Sequence, residues 1–229
     1  MREIVLDTET TGLDPANGHR IVEIGCLEIL NMIPTGQIFH FYIDPQRDMP
    51  EEAFRVHGLS SSFLAGKPTF RDIAEDFLSF VKDAKIVAHN AEFDMRFINA
   101  ELSLLGFAPI ASDLVVDTLA LARRRHPGAP NSLDALCSRY GIDNSRRTKH
   151  GALLDAEILA EVYAELTGGR QSTLLFGGIS ANKENSLGDL CRFRPVALRQ
   201  TIEVAEFSLH RAFLNAIGDK AIWHAYFKE

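Results

Sequence analysis

Acidic residues and one histidine, recurring in three short stretches, are the groups in this sequence best suited to chemistry. The first stretch, Leu6-Asp7-Thr8-Glu9-Thr10-Thr11-Gly12, ends an apolar run. In an extended strand Asp7 and Glu9 point to the same face, with Cα atoms roughly 6.6 Å apart. Each carboxylate raises the other's cost of ionising, and a divalent cation removes that cost. Taken alone, the pair also reads as a solvated strand end before a turn. The second stretch, His89-Asn90-Ala91-Glu92-Phe93-Asp94, follows the compact apolar run Ile86-Val87-Ala88. Strand ends that open into helix N-termini are where α/β folds handle ligands, which points Asp94 toward the same crevice. The alternative has Asn90 capping the helix and Asp94 complementing its dipole. In the third, His150-Gly151-Ala152-Leu153-Leu154-Asp155, the two polar residues would lie about 140° apart around a helix. They converge only if His150 sits in the loop before the helix; otherwise they are a surface histidine near an exposed acid. Convergence would set a rigid carboxylate ligand beside a movable proton acceptor. Oxygen-only donors suit hard cations.

The order and spacing of Asp7 and Glu9, Asp94, then His150 and Asp155 resemble the DEDD exonucleases, in the branch whose last motif carries His rather than Tyr. The likeness takes in Val56-His57-Gly58-Leu59 and Asn131-Ser132-Leu133-Asp134-Ala135-Leu136-Cys137 and runs almost continuously over residues 3–169. Within that family it is to the proofreading exonucleases of bacterial replicative polymerases. The resemblance implies a ribonuclease H-like fold and 3′→5′ hydrolysis of newly made DNA. It implies two divalent ions, Mg²⁺ or Mn²⁺, on Asp7, Glu9 and Asp155, with Asp94 completing the site and His150 as general base. Glu52 and His57 match positions that touch the terminal nucleotide, although Glu52 also reads as a first-turn helix acid after Pro50. Thr10, Leu13 and Phe93 would wedge or stack against the single-stranded 3′ end, beside Glu9 and Asp155. The partners implied are DNA, the catalytic (alpha) subunit of the polymerase, the sliding clamp and a small accessory subunit. Gln171-Ser172-Thr173-Leu174-Leu175-Phe176 resembles a clamp-binding peptide, carried by Gln171, Leu174 and Phe176; by itself it is an apolar patch in a loop. Two rival functions are trimming of RNA 3′ ends and a catalytically idle bridge between polymerase and clamp. An intact set of mutually repelling acids argues against the idle bridge.

Positioning these groups falls to the surrounding elements. Apolar periodicity predicts strands over 2–6, 20–30 and 37–43, a helix over 73–81, a strand at 86–88 and a helix over 93–105. A strand at 113–116 and helices over 119–125, 132–140 and 152–166 follow, the last ended by Thr167-Gly168-Gly169. Three strands followed by α/β alternation predict a mixed β-sheet flanked by helices. An exonuclease domain over 1–169 would precede a flexible linker over 170–186, rich in Gly, Ser, Asn and Gln. The C-terminal segment, 187–229, is small for a core of its own, yet carries Phe193, Phe207, Phe213, Trp223, Tyr226 and Phe227. Ile202, Ala205, Leu209, Ala212, Phe213, Ala216 and Ile217 would share one helix face, to pack back on the main domain or to dock the polymerase. The linker and the aromatic enrichment favour docking.

Bulk properties narrow the classes. The 229 residues carry 24 Lys+Arg against 31 Asp+Glu, a formal charge of −7, and 46% are hydrophobic, which excludes a disordered chain. No apolar run suits a membrane span or a signal peptide, so the expected location is cytoplasmic. Cys26, Cys137 and Cys191 lack C-x-x-C spacing and read as buried thiols. The acidic balance counts against broad phosphate-backbone binding. Metal ions would then have to screen a nucleic-acid substrate, helped by the two marked basic runs, Arg123–His126 and Arg146–Lys149, unless these are merely solvated faces.

Overall fold

The computed structural model describes residues 1–147, 149–168, 204–218 and 223. The chain divides into two units, residues 1–174 and 175–229. In the first, β1 (Arg2–Thr10), β2 (Ile21–Leu30) and β3 (Ile33–Tyr42) form an antiparallel meander, while β4 (Lys85–Ala88) and β5 (Val115–Asp117) add parallel strands on the far side of β1. The order is β3-β2-β1-β4-β5, a mixed five-stranded sheet. Its helices are α1 (Glu51–His57), α2 (Ser61–Leu64), α3 (Phe70–Val81), α4 (Ala91–Leu104), α5 (Thr118–Arg125), α6 (Leu133–Tyr140) and α7 (Ala152–Thr167).

Alternation along β1 sorts the core into two layers. Ile4 and Leu6 pack with Phe77 of α3 and with Phe97 and Ile98 of α4. Val5, from the opposite face, packs with Ala156, Leu159 and Tyr163 of α7. By the same period of two, Asp7 and Glu9 lie on the α7 side and Thr8 on the α4 side. A forked Arg20–Glu101 pair, both bonds 2.7 Å, ties the start of β2 to α4.

Several boundaries differ from the periodicity reading. Strand β1 runs on to Thr10, so both of its acids lie inside the sheet. Strand β3 starts at Ile33, since a hairpin pairs Leu30 with Ile33 although that stretch is exposed and lacks an apolar stripe. Helix α3 begins at Phe70 because Thr69 and Asp72 form a capping box. Asn90 does not cap α4: it takes a left-handed conformation and its side chain makes no capping bond. Asp117 does that work, its Oδ1 accepting from the backbone N–H of Asn90 at 3.0 Å and from that of Leu119, in α5, at 2.9 Å.

In the second unit α8 spans Val204–Ile217. Burial there falls on Leu214, which the predicted face omits, while Leu209, Phe213 and Ile217 are exposed. The rings of His210 and Trp223 meet edge-on at 6.4 Å. Gln171, Leu174, Phe176 and Cys191 lie outside the described residues. Among those described, no helix is long and apolar enough to cross a membrane.

Candidate active site

The acids converge because one glycine lets a helix onto the sheet. Gly25 of β2 pairs with Asp7 of β1, and a Cβ on Gly25 would run into the backbone of Ala152 and Leu153. With no side chain there, the first turn of α7 lies directly on β2, which brings Asp155 over the strand that carries Asp7 and Glu9. His150 precedes α7 in the loop, its backbone N–H reaching Val56 O of α1 at 3.4 Å. Ligand atoms of Glu9, His150 and Asp155 all lie within 4.8 Å of one another. Asp94 approaches from the other layer at the carboxyl end of the strands, where it is buried and accepts a 2.7 Å bond from Thr8 Oγ1. Asp7, half-buried, lines the same cleft as His150 and Asp155, a space of about 790 Å³.

Burial without enough positive charge dominates the electrostatics. The Asp7 carboxyl is pushed well above the usual range by burial and then by Asp94, Glu9 and Asp155. Glu9 is pushed up to about 8 by burial, then by Glu23, its partner across β1 and β2, and by Asp155. Asp94 rises to about 7, again through burial. Asp155 is the exception. Burial raises it, but hydrogen bonding with His150 and Arg147 outweighs burial and holds it below the ordinary value. Arg147 spreads its guanidinium over Asp155, with Nε to Oδ1 at 2.5 Å and Nη2 to Oδ2 at 2.8 Å, and gives Nη1 to Asp134 Oδ1 at 2.7 Å. Its Nη2 also lies 2.8 Å from His150 Nδ1, which is 3.4 Å from Asp155 Oδ2.

Beside the acids lies a second pocket of about 430 Å³, lined by Thr10, Leu13, Glu52, His57 and Phe93 together with Glu9. Leu13 is 79% exposed at its mouth, whereas His57 is buried. The Nδ1 of His57 accepts the Leu59 N–H at 3.0 Å, which leaves the proton on Nε2. That Nε2 is buried and makes no well-formed hydrogen bond among the described residues, its interaction with the Thr10 backbone being weak. Burial lowers the pKa of His57, so the ring stays neutral and keeps its donor. An unspent buried donor is costly unless a ligand takes it.

Residues that the motifs did not single out complete the arrangement. Thr8 holds Asp94, Glu23 pairs with His40 at 2.8 Å behind Glu9, and Arg147 is a half-buried counter-ion although it belongs to a basic run. Arg125, from the other run, donates to Glu165 O and Leu166 O and so caps the end of α7. The signal for Thr8 was its place between two acids on the opposite face of β1. Glu23 carried a weaker one, an acid inside an otherwise apolar strand.

Residues 4–163 match the family model described as exonuclease. The chain is 50% identical to the DNA polymerase III subunit epsilon of Rickettsia felis over 95% of this chain and 97% of that one. It is 44% identical to the subunit of the same name from Escherichia coli, over 98% of both. Among solved structures it resembles exonuclease X in complex with 5′ overhanging duplex DNA, with a TM-score of 0.56, 26% identity and coverage of 72% of this chain and 90% of that one. The nuclease domain of 3′hExo, a DEDDh family member bound to rAMP, shares the fold at a TM-score of 0.62 and 16% identity, covering 72% and 91%.

Proposed function

The chain belongs to the exonuclease family and, within it, to the epsilon subunits of bacterial DNA polymerase III, and on that footing we propose how its residues divide the work. Its activity is 3′→5′ exonucleolytic proofreading in company with that polymerase. Asp7, Glu9 and Asp155 hold two divalent ions, Mg²⁺ or Mn²⁺, and Asp94 completes the site. The donor set fits, being all carboxylate oxygen, and three of its members are carboxyls that lack positive charge. When bound, such ions stabilise the attacking and leaving oxygens of a phosphodiester in an in-line displacement. His150, on its loop beside Asp155, takes the proton of the attacking water as general base.

The adjoining pocket receives the terminal nucleotide. Phe93 and Leu13 offer it apolar faces, and His57 Nε2 and Glu52 offer a donor and an acceptor. Such contacts read no base edge, so selection rests on fraying: a mismatched terminus unpairs at lower cost and reaches the pocket more often. The segment over 187–229 binds the catalytic (alpha) subunit, supported by the exposed Leu209, Phe213 and Ile217 of α8. Gln171, Leu174 and Phe176, in the linker, tether the sliding clamp, where a flexible link raises the effective concentration of a weak contact. A small accessory subunit is a further partner, and the site of action is the cytoplasm.

The observation that carries this reading is the meeting of Glu9, His150 and Asp155 within 4.8 Å, drawn from a strand, a loop and a helix. A time course on a 3′-mismatched primer, with and without chelator and against a matched RNA strand, tests it. The DNA is expected to shorten from its 3′ end only with metal present and faster than the RNA. Asp7→Ala and Asp155→Ala are expected to abolish the reaction while the protein stays folded. Robust metal-dependent cleavage by either variant refutes the assignment. Removing 187–229 is expected to spare digestion of short single strands and end co-purification with the polymerase; co-purification that survives removes the docking role.

A further inference from the structure

Arg147 is 9% exposed at its side chain, against 71% for its neighbour Arg146, so one member of the basic run has been folded into the site. Its fork takes both oxygens of Asp155, at 2.5 and 2.8 Å, and Nη1 holds Asp134 at 2.7 Å. A guanidinium fork takes one lone pair on each oxygen of the carboxylate and leaves a metal ion only the outward-facing pair on each, weakened as donors by the adjacent positive charge. Two cations on one carboxylate also repel each other. Asp134, whose side chain is 60% exposed, anchors the other end of the guanidinium, so Arg147 can leave Asp155 without leaving the cleft. That cleft, about 790 Å³, is bordered by Arg123, Asn131, Ser132 and Arg147 as well as by the acids, and opens to solvent beside His150.

We propose that Arg147 and the divalent metal compete for Asp155, and that the displaced guanidinium turns to a phosphate of the DNA strand lying in this cleft. The inference rests on the assignment of Asp155 as a metal ligand. Arg147 is thereby a substrate-positioning residue as well as the counter-ion of the acids. A planar fork that fits a carboxylate fits a phosphate equally well, so one side chain can serve both partners in turn. Its departure also frees His150 Nδ1, which lies 2.8 Å from Nη2, to bond Asp155 alone.

Calorimetric titration of the full chain with Mn²⁺ alone, without DNA, separates the possibilities. Arg147→Met is expected to bind Mn²⁺ about tenfold more tightly than the unaltered protein, the equivalent of losing one competing charge-assisted bond. Arg147→Lys keeps the charge but cannot fork, and is expected to tighten binding several-fold; it also serves if the Met variant fails to fold. With Mn²⁺ saturating, Arg147→Met is expected to raise KM for a single-stranded oligonucleotide and lower the salt dependence of binding by about one phosphate contact. Unchanged or weaker Mn²⁺ binding in either folded variant overturns the competition, and an unchanged KM and salt slope overturn the phosphate contact. Absence of Mn²⁺ uptake by the unaltered chain is a different failure: it removes the metal assignment and the competition with it.

Discussion

Glu9→Gln isolates the electrostatic strain at the site. Glu9 is 8% exposed and its carboxyl is pushed up from 4.5 to about 8. Between those values the folded chain holds a proton that the unfolded chain has released. The unfolded state therefore binds fewer protons, and stability falls as pH rises through the window. The contribution of this group is fully present below pH 4.5 and lost above about pH 8. At about 1.4 kcal/mol per pH unit the whole interval amounts to about 5 kcal/mol, of which about 3 kcal/mol is gone by pH 7. Gln keeps the shape of the protonated acid and cannot ionise. Urea unfolding in chelator, from pH 5 to 9, is expected to show the unaltered protein losing several kcal/mol that the variant keeps, so that Glu9→Gln is the more stable at pH 9. Added Mn²⁺ is expected to stabilise the unaltered protein and to do much less for the variant. Parallel pH profiles, or a variant less stable at pH 9 in chelator, would refute the claim that burial, reinforced by neighbouring acids, governs this carboxyl.

Gly25→Ala forces the first turn of α7 off β2 and moves Asp155. It is expected to cost about 1–3 kcal/mol of stability and about 10²-fold in turnover, measured by melting and by primer digestion; normal turnover would show that α7 does not set the geometry. His150→Ala is expected to retain Mn²⁺ uptake and lose about 10²–10⁴-fold in turnover, and rates near those of the unaltered protein would end its role as base. Thr8→Val removes the 2.7 Å bond to Asp94, one of the bonds that hold this carboxyl down. Titration of Asp94 by NMR is expected to shift upward, with weaker Mn²⁺ binding at pH 6.5 than at pH 8; an unmoved Asp94 titration would contradict the account.

What could be read before folding was whatever rides on regular elements. Asp7 and Glu9 share a face because a strand alternates, and His150 had to sit in a loop because five helical positions would have turned it away from Asp155. The order of three strands and then α/β alternation led to the mixed sheet for the same reason, since apolar periodicity reports which side of each element meets the core. Elements with no periodicity to report were hidden. Helix α2 has only four residues, and the start of β3 is a fully exposed hairpin whose register comes from backbone pairing. Asn90 looked like a cap, but its left-handed backbone turns the side chain away and Asp117, distant in sequence, supplies the acceptor. Leu214 escaped the predicted face of α8 because a helical wheel ranks apolar stripes without saying which one is covered.

Arg147 marks where such reading stops for a physical reason. Arg146, Arg147 and Lys149 are equivalent in composition, and any of them could have neutralised Asp155. Only the path of the loop after α6 decides which one is drawn under and which two stay in water. Lys149 instead sits over the Phe54 ring at 5.1 Å, and Arg146 lies 3.9 Å from Glu157 at the surface. Counter-ion choice is thus a property of tertiary geometry, whereas the need for a counter-ion follows from the acids alone. Three of those acids have their carboxyls pushed upward by burial, and the fourth is held down by hydrogen bonds to a guanidinium and to His150. A carboxylate held in a permanent salt bridge would be a weaker donor to a metal, whereas a guanidinium that can turn away leaves the donor intact.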